Sequence, residues 1–291
     1  MEKYILGDVI AEGQFGSVRE ARCKETNAHV ALKIVRVSSI DSGIPHPVAR
    51  EVLIAMRVYH PYIVSVIEVF PYRSSVAIVM ERCTSDLANL LASHSFYNPM
   101  PLQLGKRLFF MLLSALDYLH QQRILHRDVK PSNCVLSAEG VLKLGDFGLS
   151  RMWKEEDLSH EVASRWYRAP ELLFGQRRYG AEVDMWSAGC ILAEILRGFG
   201  GAFFPGEGDI NQISKIFDIL GTPTEASWPG VGKLPLWGKV NFVQRSGCGL
   251  RETLPRSSEA AINILEKLLS LDPTSRISAR DAMKHPFFLD T

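Results

Sequence analysis

Cysteine is scarce in this chain, and the five present (Cys23, Cys83, Cys134, Cys190, Cys248) form no C-x-x-C pair. An odd, scattered set of thiols argues against a disulfide framework and against a zinc site. A reducing compartment, cytoplasm or nucleus, is therefore the expected location. Charge of one sign is lacking as well. The 33 Lys and Arg against 32 Asp and Glu leave a formal net charge of +1, so no field draws the chain to nucleic acid or to a membrane. Long apolar runs are missing: residues 108–113 fall far short of the roughly 18 residues of a membrane span. Residues 1–8 carry acids and no apolar core of roughly 7–15 residues, so no signal peptide is expected. Neither an internal repeat nor a low-complexity linker interrupts the chain. The remaining composition, 46% hydrophobic and 22% charged, is that of a folded protein, and 291 residues suit two packed lobes.

Residues 4–12, 17–23, 28–35, 63–72 and 75–80 are short Val/Ile-rich runs broken by turn residues, and they predict strands. Between the third and fourth run, residues 48–59 lack Gly and Pro and place Val48, Val52, Ala55 and Met56 at helical spacing. Beyond about residue 87 helical patterns dominate. Leu104, Leu108, Met111, Leu112, Ala115 and Leu119 form one apolar face. Residues 183–196 are apolar nearly all round and predict a helix buried on every side. A small strand-rich lobe joined to a larger helical one, with a cleft between them, is the consistent architecture.

Ala11-Glu12-Gly13-Gln14-Phe15-Gly16-Ser17-Val18 is a glycine-bearing turn between two strands. Such glycines let backbone N–H groups approach phosphates, although a plain hairpin accounts for them equally well. In Val30-Ala31-Leu32-Lys33, strand alternation would send one charge to solvent, unless Glu51 on the following helix turns Lys33 inward against phosphates. The segment His126-Arg127-Asp128-Val129-Lys130-Pro131-Ser132-Asn133 followed by Asp146-Phe147-Gly148 is far more specific. Phosphoryl transfer needs a carboxylate to orient the attacking hydroxyl, oxygen ligands for Mg2+ and a cation near the γ-phosphate. Asp128, Asn133, Asp146 and Lys130 supply these groups in one short stretch.

With Ala169-Pro170-Glu171, this series resembles the eukaryotic serine/threonine protein kinases, in family order from Ala11 to Arg276. The resemblance implies an α+β, bilobal fold: a β-rich N-lobe over 1–80 with one regulatory helix, a hinge over 81–86 and an α-helical C-lobe over 87–291. It implies ATP and Mg2+ as cofactors. Ala11, Gly13 and Gly16 would lie over the phosphates. Lys33 would hold the α- and β-phosphates and pair with Glu51. Asp128 would be the catalytic carboxylate, Lys130 the clamp on the γ-phosphate, and Asn133 and Asp146 the metal ligands. Ser164 would hydrogen-bond Asp128 and Lys130. Val18 and Ala31 would cover the adenine and Leu136 support it from below. The backbones of Glu81 and Cys83 would bond its edge behind Met80. Asp86 would contact the ribose, or cap the helix that starts at Leu87, or do both. Glu171 and Arg276 would form a buried anchor or a surface pair of little worth.

Two stretches resemble the cyclin-dependent kinases in particular. Pro45-His46-Pro47-Val48-Ala49-Arg50-Glu51 sits where that family carries its cyclin-recognition helix, and Phe204-Pro205-Gly206, Gly221-Thr222-Pro223 and Trp228-Pro229 match an insert shared with mitogen-activated kinases. With Arg165-Trp166-Tyr167-Arg168, this implies protein substrates with Ser/Thr-Pro sites and a cyclin or cyclin-like activator at the 45–51 helix. Ser159 would be the activating phosphosite, served by an upstream kinase, with Arg50, Arg127 and Arg151 to receive the phosphate. Residues 162–168 resemble the cell-cycle-related kinase branch. The chain also departs from the pattern. Ala11 replaces the first glycine, Gln14 and Phe15 replace an inhibitory Thr-Tyr pair, and two prolines begin the cyclin helix. Glu161 stands where mitogen-activated kinases need a tyrosine, which weakens that alternative. A pseudokinase scaffold predicts loss of Lys33, Asp128, Asn133 or Asp146, and all four are present.

Overall fold

The computed structural model of the chain describes residues 3–13, 16–36, 46–73, 75–153 and 157–289. Gln14, Phe15 and Pro45, with the side chains of Arg50 and Glu51, lie outside the described residues. Five strands, β1 (Tyr4–Gly13), β2 (Gly16–Cys23), β3 (His29–Arg36), β4 (Val66–Tyr72) and β5 (Ser75–Glu81), form one antiparallel sheet in the order β1-β2-β3-β5-β4. Alternation sorts their side chains onto two faces. Leu32, Ala77 and Val79 join Tyr4, Ala21, Cys23 and Val30 in one small core, while Val35, Val76 and Ile78 form another. A one-residue slip in register would exchange these faces, so burial on both sides holds the pairing in place.

Helix α1 (His46–Arg57) crosses between β3 and β4, two residues earlier at each end than the periodicity of 48–59 predicts. Pro47 is accommodated because its missing N–H falls in the first helical turn, where no intrahelical partner exists. The expected strand 63–72 begins only at Val66. Ile63 instead makes an isolated parallel bridge to Leu144, which ties the small lobe to the large one.

From residue 85 onward come β6 (Ser85–Asp86), α2 (Leu87–Ala92), α3 (Leu102–Gln121), β7 (Ile124–Leu125), β8 (Cys134–Leu136), β9 (Leu142–Leu144) and β10 (Arg151–Met152). They are followed by α4 (Pro170–Leu173), α5 (Glu182–Arg197), α6 (Asp209–Leu220), α7 (Leu250–Thr253), α8 (Glu259–Leu268) and α9 (Ala279–Ala282). Helix α5 is buried from Val183 to Ile195 and packs against α3 and α8, as its all-round apolar sequence requires. Gly198 ends it at φ +84°, a left-handed cap where an added Cβ would lie 2.7 Å from Pro99. Along α3, Leu108, Leu112, Ala115 and Leu119 are fully buried, while Leu104 and Met111 pack at the edge of the same core. The small sheet β6-β8-β9 lies on the helical side of a cavity of about 920 Å3, and strands β1, β2, β3 and β5 form its opposite wall.

Candidate active site

The roof of the cavity follows from the β1–β2–β3 hairpins. Ala11 pairs with Val18, and Gly13 with Gly16. Gly16 sits at φ +155°, and a Cβ there would stand 1.9 Å from the Ile34 carbonyl oxygen. Glycine is thus required at this position by the approach of the neighbouring strand alone. Ala11, Gly16, Val18 and Ala31 all line the cavity. Lys33 also points inward, and its Nζ lies 2.9 Å from Asp146 Oδ1. The charge that alternation would have sent to solvent therefore faces the cleft.

The opposite wall is a polar loop held from beneath by α5. The buried Asp184 carboxylate accepts the backbone N–H groups of His126 (2.9 Å) and Arg127 (2.7 Å) and pairs with His120 Nε2 at 2.9 Å. Burial alone would push this carboxyl up, but the bond from His120 and the Arg127 N–H outweigh it and hold Asp184 below the usual carboxylate range. His126 accepts the Asp128 N–H at Nδ1 (3.3 Å) and so donates from Nε2 to the Gly145 carbonyl (2.9 Å). Its ring packs edge-on against Phe147, with centroids 5.3 Å apart. One buried imidazole thereby fixes the spacing between the segments that carry Asp128 and Asp146. Arg127 (φ +65°) and Asp146 (φ +59°) both occupy the left-handed region, a strained backbone that the surrounding bonds impose.

Four groups converge on Asp128. Lys130 Nζ lies 2.8 Å from its Oδ2, and Asn133 Nδ2 donates to the same oxygen at 3.0 Å and to the Asp128 carbonyl at 2.8 Å. Ser164 donates to Oδ1 from its N–H at 3.0 Å and from its hydroxyl at 3.1 Å, while Lys130 donates to Ser164 Oγ at 2.9 Å. Asn133 makes these bonds through its amide nitrogen, which leaves its oxygen available to a ligand. For Asp146, burial opposes ionisation, but attraction to Lys33, their hydrogen bond and the Gly148 N–H prevail and hold its carboxyl below the usual range. Asp128, Lys130, Asn133, Asp146 and Ser164 all line the one cavity.

At the hinge side Met80, Glu81, Cys83 and Asp86 line the cavity. The Glu81 side chain accepts the Ser65 N–H (2.7 Å) and pairs with Lys143 (3.0 Å), so it bridges the hinge to β9. Burial, helped by the Glu81 charge, pushes the Cys83 thiol up to about 11, which leaves it largely protonated at neutral pH. Asp86 caps α2 by accepting the Asn89 N–H at 2.8 Å. Leu136 is a correction. Strand alternation turns Cys134 and Leu136 into the core and leaves Val135 lining the cavity. Leu136 supports the hinge through its carbonyl instead, which accepts the Thr84 N–H at 2.8 Å. Counting in twos puts Leu136 on the same face as Cys134 and Val135 on the other, so Val135 meets the cavity once the core has taken Cys134. The ion pair between Arg82 in the hinge and Glu20 on β2 also borders the cavity, and nothing local in the sequence announces it.

Along the activation segment Ser159 is exposed. The Tyr179 hydroxyl donates to the Ser159 carbonyl and accepts from Arg127 Nη1 at 3.0 Å. Arg127 also donates twice to the Leu149 carbonyl, at 2.8 and 2.6 Å. Arg151, placed by the β7–β10 pair, has a buried Nε without a hydrogen-bond partner among the described residues. Burial pushes the Tyr179 hydroxyl up, and the charges of Arg127 and Arg151 oppose it. Two of the three predicted arginines therefore gather about this hydroxyl, while the third, Arg50, has its side chain outside the described residues. Glu171 and Arg276 form a buried pair, with parallel bonds of 2.6 and 2.7 Å, and the surface alternative is excluded.

A protein kinase domain family matches residues 4–288, and the chain belongs to that family. It is a serine/threonine protein kinase, and ATP and divalent-metal use belong to its family generally. The kind of kinase follows from curated relatives. The chain is 38% identical over 292 aligned residues to a cyclin-dependent kinase 20 from Danio rerio, covering 99% of this chain and 84% of that protein. Proteins of the same name from Rattus norvegicus and Mus musculus are likewise 38% identical and are covered to 83%. The chain is thus a kinase of the cyclin-dependent type, and neither the mitogen-activated nor the pseudokinase alternative gains support.

Proposed function

We propose that this kinase phosphorylates Ser-Pro and Thr-Pro sites of protein substrates with Mg-ATP, in one catalytic domain divided at residues 81–86. The observation that carries the reading is the convergence of Lys130, Asn133 and Ser164 on the Asp128 carboxylate at the edge of the cavity. Asp128 would accept the substrate hydroxyl's hydrogen bond and aim its oxygen at the γ-phosphorus, with Ser164 and Lys130 fixing the carboxylate in that orientation. Lys130 would meet the γ-phosphate and Lys33 the α- and β-phosphates. Asn133 and Asp146 fit a magnesium ion, since both offer hard oxygen atoms to the cavity and the Asp146 carboxyl is held ionised. A bound magnesium ion supplies charge neutralisation of the phosphates.

Regulation follows the same lines. Leu53, Met56 and the adjoining Tyr59 are exposed apolar residues on and after α1, which supports a cyclin or cyclin-like activator there. An upstream kinase would modify Ser159, whose added charge is suited to Arg127 and Arg151 nearby. Free thiols at all five cysteines are in keeping with a cytoplasmic or nuclear location.

The test is phosphate transfer from Mg-ATP to a mixed Ser-Pro/Thr-Pro peptide pool, using enzyme isolated from eukaryotic cells with its partners retained and Asp128→Asn as control. Transfer that vanishes in the control is the expected result. No transfer above the control, with nucleotide binding intact, would overturn the reading.

A further inference from the structure

A second cavity, of about 490 Å3, lies beside the activation segment, and the catalytic machinery makes no use of it. Asp157 and His160 border it from the segment, Arg177 and Arg178 from the loop after α4, and Pro235 and Leu236 from the opposite side. Its floor includes Gly175 at φ +82°, where an added Cβ would sit 3.3 Å from the Leu236 side chain. Its edge is held by local bonds. The Leu158 N–H donates to the Arg177 carbonyl at 2.8 Å, and Gln176 Nε2 to the Arg178 carbonyl at 2.9 Å.

The charges around it are incompletely matched. Asp157 pairs with Arg178 at 3.0 Å, but the exposed Arg177 guanidinium enters no hydrogen bond or ion pair among the described residues. His160 Nδ1 is buried with no hydrogen-bond partner among the described residues. A buried ring nitrogen left unpaired is costly unless a ligand or water satisfies it. The unmatched Arg177 guanidinium, in a pocket that the His160 ring also borders, suits a group of anionic oxygens, and a turn of that ring would bring its orphaned Nδ1 to the same group.

Position narrows the source. Ser164 bonds Asp128 directly and lies only four positions after His160 in the chain. That stretch of chain spans at most about 14 Å. A substrate that presents its hydroxyl at Asp128 therefore brings side chains a few residues away within reach of the pocket. We propose that this pocket binds a carboxylate or phosphate side chain of the protein substrate, about three to five residues from the phosphoacceptor. The proposal rests on the kinase reading above.

The experiment uses the full chain with its partners and a Ser-Pro peptide series carrying Glu, phosphoserine, Ala or Lys at each position from −5 to +5. The expected result is one position at which an anion lowers KM by roughly tenfold with kcat unchanged. Arg177→Glu should abolish that preference and favour Lys, and His160→Ala should weaken it, while both keep the wild-type rate on the Ala peptides. A gain with Glu equal to that with phosphoserine assigns a carboxylate site, and a larger gain with phosphoserine assigns a phosphate site. Absence of an anion preference at every position, or a preference kept in both variants, would overturn the proposal. Fluorescence anisotropy of the same peptides on the Asp128→Asn protein reads the site even where no phosphate is transferred, which separates failure of the pocket from failure of the kinase reading.

Discussion

Arg276 grips Glu171 through two parallel N–H···O bonds of 2.6 and 2.7 Å across 105 residues of chain, with both side chains almost completely buried. The same guanidinium donates to the carbonyls of Ser270 and Glu182 and stacks over the Trp186 ring at 5.0 Å. It therefore joins the end of the activation segment to α5 and to the loop before α9. Removing either partner leaves a buried charge unmatched. Arg276→Ala should cost about 3–5 kcal/mol, read as a lower urea midpoint, and an unchanged midpoint would show that the pair contributes little.

Val135 and Leu136 separate nucleotide binding from stability. Val135→Ala removes apolar contact from the cavity wall and should raise the KM for ATP roughly five- to tenfold with little effect on unfolding. Leu136→Ala opens a void in the core and should cost about 2–5 kcal/mol with a smaller change in KM. The reverse pattern would restore Leu136 to the nucleotide site.

The chain of bonds from Arg127 through the Tyr179 hydroxyl to the Ser159 carbonyl ties the activation segment in place without a phosphate. Ser159→Ala should lower activity by removing the phosphosite. Tyr179→Phe should lower the rate of phosphatase-treated enzyme, because the hydroxyl that joins Arg127 to the segment is gone. Equal rates for dephosphorylated wild-type and Tyr179→Phe enzyme would show that this tether is idle.

Glu194 on α5 gives stability a defined pH dependence. Burial pushes its carboxyl up to about 7, although bonds from the Tyr167 hydroxyl (3.3 Å) and the Phe203 N–H (3.1 Å) oppose the shift. The native state thus holds a proton that the unfolded chain releases more readily. Its contribution is complete below the ordinary carboxylate value of 4.5 and is lost as pH rises through about 7. The loss amounts to roughly 3 kcal/mol and should be absent in Glu194→Gln. Urea midpoints of both proteins between pH 4.5 and 8 provide the check, and parallel curves would exclude Glu194 as the titrating group.

Much of this protein is legible without coordinates because its key residues are close in sequence. Asp128, Lys130 and Asn133 occupy a single loop, so their mutual distances are bounded by a few peptide units, and the meeting of Asp128, Lys130 and Asn133 follows from local geometry. The all-round apolar α5 and the single apolar face of α3 were likewise decided by periodicity, since burial must follow the pattern of side chains. Tertiary structure decided the matters that depend on distant neighbours. It turned Val135, and not Leu136, toward the cavity, because β9 and the hinge determine which face of β8 is covered. It engaged Arg127 with Tyr179, buried Glu171 against Arg276, and placed His160 and Arg177 on the wall of one cavity. Each of these depends on packing between segments far apart in the chain, where a side chain's charge and hydrogen-bonding capacity say what it needs but not which partner will supply it.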